Sequence, residues 1–439
     1  AAVRRGHYQH RAAVLVRSAD DIARSFADLD ADDGVPAVSL GRVKALRPVD
    51  TAFVFSGRGP QWPGMGRGLA RHSAAFRDRL QECDALMRPL LGVSVSELVT
   101  GKDDAARERH WQPVLFAFQA SLTAMWQAVG ITPSAVVGHS VGEVAAAYAA
   151  GVLTLEDAVT VICARHQAVA RAAEGTMGVV ALAAEDAEKL LAEIGGGGAD
   201  HQVWVAAVNS GSSTVLAGTR AGLDEVHARL AESGVDYRAV DVDFPSHSPL
   251  MAPAAAWLRG EIAGIRPHPA TVPLYSTVTG TLADGTTWDV AYWADNLTGT
   301  VRFADALRQL RDAGTTVFLE IGPHPVLVPA VEEENESAGH EAAVLASARR
   351  DADTTTWLGS LGDLYCLGAD IHWEGLYPSG NFVPLPGQPW QRERFWLPDE
   401  AALDQETETP VPGSRASTTA RAAAGNTSVP ARDSRAEHP

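Results

Sequence analysis

Cysteine is scarce in this chain of 439 residues: Cys83, Cys163 and Cys366 are odd in number and far apart. Such a set builds no disulfide framework and fits reduced thiols in a cytoplasmic setting. Basic residues are also short. The 36 Lys and Arg face 54 Asp and Glu, and the net charge of −18 argues against nucleic acid as a ligand and favours a basic partner surface. The same charge also serves plain solubility. No run approaches the ~18 uninterrupted apolar residues of a membrane span. The opening Ala1-Ala2-Val3-Arg4-Arg5-Gly6-His7 carries no apolar signal core. Metal-ligand spacings such as Cys-x-x-Cys are missing, as are internal repeats.

What is present is globular. Apolar residues make up 46% of the chain, ample for a large core, and the length implies more than one structural unit. Residues 1–50 read as a small unit, with a strand at 12–16 and a helix at 20–29. A buried strand at 49–55 ends in a glycine-rich loop, Ser56-Gly57-Arg58-Gly59-Pro60. A core helix at 113–126 precedes a strand at 135–137. From 176 to 243 the pattern reads strand, helix, strand, strand, helix, strand, with a break at Gly195-Gly196-Gly197-Gly198. This is the order of a ferredoxin-like unit, inserted in a larger sheet that resumes at 273–276 and 317–320. Residues 346–398 carry Trp357, Trp373, Trp390 and Trp396 on a proline-rich strip expected to lie against the body. Residues 399–439 lack aromatics and read as a disordered linker.

The chemistry concentrates at Gly138-His139-Ser140-Val141-Gly142-Glu143, between the strand at 135–137 and a run, Val144-Ala145-Ala146-Ala147-Tyr148, that opens a helix. Gly-x-Ser-x-Gly between strand and helix is a nucleophile elbow. The serine needs a base, and histidine, titrating near neutrality, is the usual one. Two histidines compete on sequence grounds. His247, in Phe244-Pro245-Ser246-His247, stands where the insertion rejoins the main sheet, and His324, in Gly322-Pro323-His324-Pro325, ends a main-sheet strand. Arg165 falls on the apolar stripe Ala158, Ile162, Val169 of a helix at 155–173. A buried guanidinium needs an anion, either a core carboxylate in a salt bridge or the carboxylate of a substrate. The glycine-rich loop has no Gly-Lys-Ser/Thr ending and is a poor nucleotide site; a backbone amide there donating to an oxyanion is better motivated.

Taken together, Phe53-Val54-Phe55-Ser56-Gly57-Arg58-Gly59-Pro60-Gln61-Trp62, the elbow, Phe244-Pro245-Ser246-His247-Ser248 and Gly322-Pro323-His324-Pro325-Val326-Leu327 resemble the acyltransferase domains of modular type I polyketide synthases. The stand-alone relative is malonyl-CoA:acyl carrier protein transacylase. The resemblance covers about residues 1–398. It implies an α/β fold: an α/β-hydrolase-like large subdomain at 51–175 and 244–345, the ferredoxin-like small subdomain at 176–243, and an α/β ketosynthase-to-acyltransferase adapter at 1–50. Residues 346–398, with Trp390-Gln391-Arg392-Glu393-Arg394-Phe395-Trp396, resemble the linker that wraps over that adapter. Both ends look cut from a longer synthase.

The resemblance also implies roles. Ser140 matches the nucleophile and His247 the general base. Asn296 matches the residue whose main-chain carbonyl orients that histidine. Arg165 matches the arginine that holds a malonyl carboxylate. The oxyanion amides are those of Val141 and Arg58, where the family usually has glutamine at the latter position. Gln61, His139, Phe244 and Ser246 are expected around the substrate. No cofactor enters catalysis and no metal is bound. Acyl-CoA is the donor, and the phosphopantetheine of an acyl carrier protein is the acceptor. A ketosynthase is expected in the same polypeptide, and neither nucleic acid nor membrane is a partner. For the extender unit, His-Ala-Phe-His goes with malonyl and Tyr-Ala-Ser-His with methylmalonyl, and Phe244-Pro245-Ser246-His247 matches neither. The small Ser246 favours a 2-substituted unit, methylmalonyl or a larger alkylmalonyl. Val141 leans toward malonyl. A serine hydrolase or thioesterase shares the elbow, but usually places an acidic residue between Ser and His and uses a His-Gly-Gly oxyanion loop that this chain lacks. A silent spacer domain would not need the intact Ser140 and His247.

Overall fold

The computed structural model describes residues 6–16, 18, 21–22, 38–43, 49–101, 103–194 and 202–377. Most of the expected helix at 20–29, the four-glycine break and everything beyond 377, including Trp390, Trp396 and the 399–439 segment, lie outside the described residues. Among the described residues the strands run, in chain order, β1 (His10–Val14), β2 (Val38–Arg42), β3 (Thr51–Phe55), β4 (Ala135–Gly138), β5 (Thr176–Val180), β6 (Val203–Val208), β7 (Thr214–Gly218), β8 (Tyr237–Val240), β9 (Leu274–Ser276), β10 (Thr281–Ala283), β11 (Val301–Arg302), β12 (Val317–Ile321) and β13 (Ala343–Ala346).

The main sheet has the order β10-β9-β4-β3-β12-β13, with parallel pairing everywhere except at the β10 edge. A parallel sheet is covered on both faces, so its strands are largely apolar. Every residue of β3 is buried. The period-two alternation then divides them: Phe53 and Phe55 enter one core with Val136, Leu319 and Ile321, while Ala52 and Val54 enter another with Val137 and Phe318. Helices Ala74–Leu91, Trp111–Ala128, Gly142–Ala149 and Leu155–Val169 supply the first core. Helix Phe303–Asp312 fills the second with Phe303, Ala306, Leu307 and Leu310.

The second sheet has the order β11-β6-β7-β5-β8, antiparallel from β6 to β8 with β11 added parallel to β6. Val180 and Leu216 pack on one face against Leu223, Val226 and Leu230 of helix Arg220–Ser233 and Ala187 of helix Ala184–Ile194. Met177, Val179, Ala207 and Val215 point the other way and join the second core, so the two sheets meet across it. A separate two-stranded sheet, β1-β2, rests on helix Asp353–Leu367. Arg11 donates to the Tyr365 carbonyl at 2.8 Å with its guanidinium over that ring, and Ser39 donates to Asp363.

The register places the site. Phe55 is opposite Gly138 on one side and Ile321 on the other, so β3, β4 and β12 end together. The loops that follow them share one edge, the usual ligand edge of a parallel sheet.

Candidate active site

Ser140 sits at the tip of the turn between β4 and helix Gly142–Ala149, at φ 56°. A non-glycine residue there costs about 1–3 kcal/mol and must be held by its surroundings. Glycine makes the turn possible on both sides. A side chain at Gly138 would strike the Glu143 backbone, and one at Gly142 the Phe55 carbonyl. The elbow therefore packs backbone on backbone, and the serine hydroxyl takes no part in closing the turn.

His247 approaches from the segment after β8. Its Nε2 lies 2.7 Å from Ser140 Oγ. Its backbone is also left-handed, φ 62°. It is seated on the C-terminal end of helix Val290–Thr298, whose last carbonyls have no partner within the helix. The His247 amide donates to Leu297 O at 2.9 Å, and Nδ1 lies 3.0 Å from Gly299 O. The carbonyl expected to orient this ring was that of Asn296. It contributes, but behind Gly299, which lies past the last turn and directly faces Nδ1. A carbonyl only accepts, so Nδ1 carries the proton and Nε2 is bare toward the serine. Burial, then Arg165 and His139, push the imidazole pKa down to about 3, against the pull of the Gly299 and Asn296 carbonyls. His324, the competitor, makes no hydrogen bond to either and receives the Arg350 amide at 3.3 Å.

Arg165 is 2% exposed on helix Leu155–Val169. Its hydrogen bonds go to neutral amides rather than to a carboxylate. Nε donates to Asn296 Oδ1 at 3.2 Å and Nη1 to Gln112 Oε1 at 2.8 Å, while Nη2 is buried without a partner. Burial lowers its pKa to about 10, with the buried Glu143 opposing, so it stays a cation at neutral pH.

A cavity of about 390 Å³ is lined by Ser140, His247, Arg165, His139, Phe244 and Ser246, with Met177, Val179 and Val215 from the second sheet. His139 Nε2 is 2.8 Å from Asn209 Oδ1, a residue just after β6, and this bond bridges the two sheets. Arg58 also lines the cavity, its guanidinium over Trp111 at 5.1 Å from the ring centre. Among the described residues the Val141 and Arg58 amides have no protein acceptor. Gln61 is not part of the cavity lining. Its Oε1 takes the Gly59 amide at 2.9 Å and so shapes the loop. Gln112, Asn209, Gly299 and Glu143 are site residues that sequence reasoning did not single out. The available signal was a polar side chain in an apolar helix, as for Gln112 and Glu143. Among the described residues no cluster of three or more His, Cys, Asp or Glu could hold a metal, and no helix is long and apolar enough to cross a membrane.

A sequence profile of the acyl transferase domain family matches residues 52–370. The chain belongs to that family. Among curated relatives of this acyltransferase domain, the spectinabilin polyketide synthase system protein NorA' of Streptomyces orinoci is 39% identical over 407 residues, 90% of this chain and 11% of its own length. The erythronolide synthase EryA2 of Saccharopolyspora erythraea is 36% identical over 403 residues, again 90% and 11%. The chain thus spans about a tenth of these relatives. In structure it is similar to the acyltransferase domain from module 8 of the salinomycin polyketide synthase, with a TM-score of 0.77, 35% identity and 85% and 88% of the two chains covered. The malonyl CoA-acyl carrier protein transacylase of Coxiella burnetii matches with a TM-score of 0.64 at 25% identity, over 72% of this chain and 98% of that one. The chain is an enzyme of the acyltransferase class, of the modular polyketide synthase type.

Proposed function

We propose that this domain loads a malonyl-type extender unit from coenzyme A onto an acyl carrier protein through an acyl-Ser140 ester. Its main sheet is read as the α/β-hydrolase-like large subdomain and its second sheet as the inserted ferredoxin-like one, with the cleft between them. His247 Nε2 takes the Ser140 proton as Oγ attacks the thioester carbonyl. The unpartnered Val141 and Arg58 amides receive the oxyanion. The C–S bond breaks, coenzyme A leaves with the proton, and the carrier phosphopantetheine thiol repeats the sequence in reverse. A ketosynthase in the same polypeptide is the natural consumer, and the reaction needs no cofactor beyond the two thiols. A water molecule attacking the same ester gives hydrolysis, the competing outcome.

The unpartnered Nη2 of Arg165, buried on a guanidinium whose other nitrogens Nε and Nη1 bond neutral amides, carries the choice of a carboxylated unit. A carboxylate there satisfies a donor that the protein leaves open. Arg165→Ala is expected to weaken malonyl-type units by roughly 2–5 kcal/mol and to favour uncharged acyl groups in relative terms. The 2-substituted preference is supported by the half-buried Ser246 at the wall, where a phenylalanine would fill space. Competition between malonyl- and methylmalonyl-CoA, read as acyl-enzyme mass, tests it. Methylmalonyl is expected to lead, and Ser246→Phe to shift the balance toward malonyl by about 1–3 kcal/mol. A wild-type lead for malonyl contradicts the substituent reading. Release of free acid without a carrier, and no transfer with one, contradicts the transferase reading.

A further inference from the structure

The side chain of Asn296 lies between the nucleophile and the cation. Its Nδ2 donates to Ser140 O at 3.1 Å and to Glu143 Oε2 at 2.8 Å, and its Oδ1 accepts from Arg165 Nε at 3.2 Å. The amide has only one orientation in this setting. Two acceptors stand on the Nδ2 side and a donor on the Oδ1 side, and a flipped amide would oppose like to like at all three contacts. Glu143 is itself immobilised. It is fully buried, Oε1 accepts from the Thr277 amide at 2.6 Å and hydroxyl at 2.9 Å, and Oε2 also accepts from Tyr292 Oη at 2.9 Å. No step of the transfer chemistry uses it.

We propose that Glu143 is a positioning residue for substrate selection: through Asn296 it fixes the direction of the Arg165 guanidinium relative to Ser140, and so sets the preference for acyl groups that carry a free carboxylate. The inference rests on Arg165 as the carboxylate clamp. Glu143→Gln tests the link with almost no change of shape. The Thr277 donors hold the new side-chain oxygen, so its NH₂ faces Asn296 Nδ2. Donor then meets donor, Asn296 turns over, and its NH₂ confronts Arg165 Nε. Asn296→Asp tests the same link by charge, because a carboxylate at 296 pairs with Arg165 and cancels it.

The measurement is the rate of acyl-enzyme formation on the whole chain, by intact mass, with methylmalonyl-CoA and propionyl-CoA over a concentration series. These two donors differ only in the carboxylate. Their ratio is internal to each protein, so a smaller folded fraction cancels, whereas a merely structural role would lower both rates together. Both variants are expected to lower the ratio by about tenfold or more, the range for a lost hydrogen bond to a charged group. The loss should fall mainly on the half-saturating methylmalonyl-CoA concentration. A ratio like that of the wild type in either variant, with Arg165→Ala itself collapsing it, overturns the relay and leaves the clamp standing. A preserved ratio in Arg165→Ala removes the clamp, and the relay with it.

Discussion

Two strands of the main sheet, β4 and β12 on either side of β3, end in loops of similar content and opposite use. After β4 come His139, Ser140 and the buried Glu143, and at β12 come the buried Glu320 and then His324. Burial pushes both carboxyls up to about 7. Their partners differ. Glu320 is bonded to three backbone amides, those of Val326, Leu327 and Val328, at 2.9–3.0 Å. Glu143 takes one amide, that of Thr277, and three side-chain donors, of which Asn296 goes on to touch Ser140 and Arg165. A carboxylate satisfied by main chain shapes a loop, whereas one satisfied by side chains orients functional groups. Position at the end of a parallel strand therefore does not by itself mark a residue for chemistry.

The histidines give the largest expected contrast. His247→Ala should slow acyl-enzyme formation at least about a hundredfold, the lower range for a general base. His324→Ala, whose ring only receives the Arg350 amide, should change it little. Equal losses would erase the distinction between the two loops. The glutamates come next. Glu320→Gln turns a donor toward one of its amides and should cost about 1–3 kcal/mol of stability, measured as a denaturation midpoint, without changing the methylmalonyl-to-propionyl ratio. Glu143→Gln should change that ratio. A selectivity change in Glu320→Gln would place both carboxylates on the same footing.

The smallest effect is in pH. The base acts in its neutral form, and burial holds the His247 pKa down at about 3 in the folded enzyme, well below the usual 6.5. The active form therefore persists as pH falls through 6.5. The kcat/KM for propionyl transfer, which reports the free enzyme, should not halve there. An inflection near 6.5 that survives Glu143→Gln would return His247 to its ordinary value.

Much of this was legible in the sequence because it depends on local pattern. The largely apolar Thr51–Phe55, the glycines flanking Ser140 and the helix stripe that carries Arg165 announce β3, the elbow and a buried cation. The choice between His247 and His324 was not legible without the family resemblance, since both follow structural junctions and only the fold brings one to Ser140. Nor were the partners of Arg165. Gln112 is 53 residues away and Asn296 131, and amide contacts at such separations leave no periodic trace. The Gly299 carbonyl, which joins that of Asn296 at His247, was not legible either, because a helix end is set by capping geometry that residue matching does not resolve.

The central claim is that the acyl group is carried on Ser140. Incubation with methylmalonyl-CoA, proteolysis and mass mapping should place a single acyl adduct on Ser140. Ser140→Ala should carry none, in keeping with losses on the order of a million-fold when a serine nucleophile is removed. An adduct on another residue, or one that persists in the alanine variant, would contradict the account.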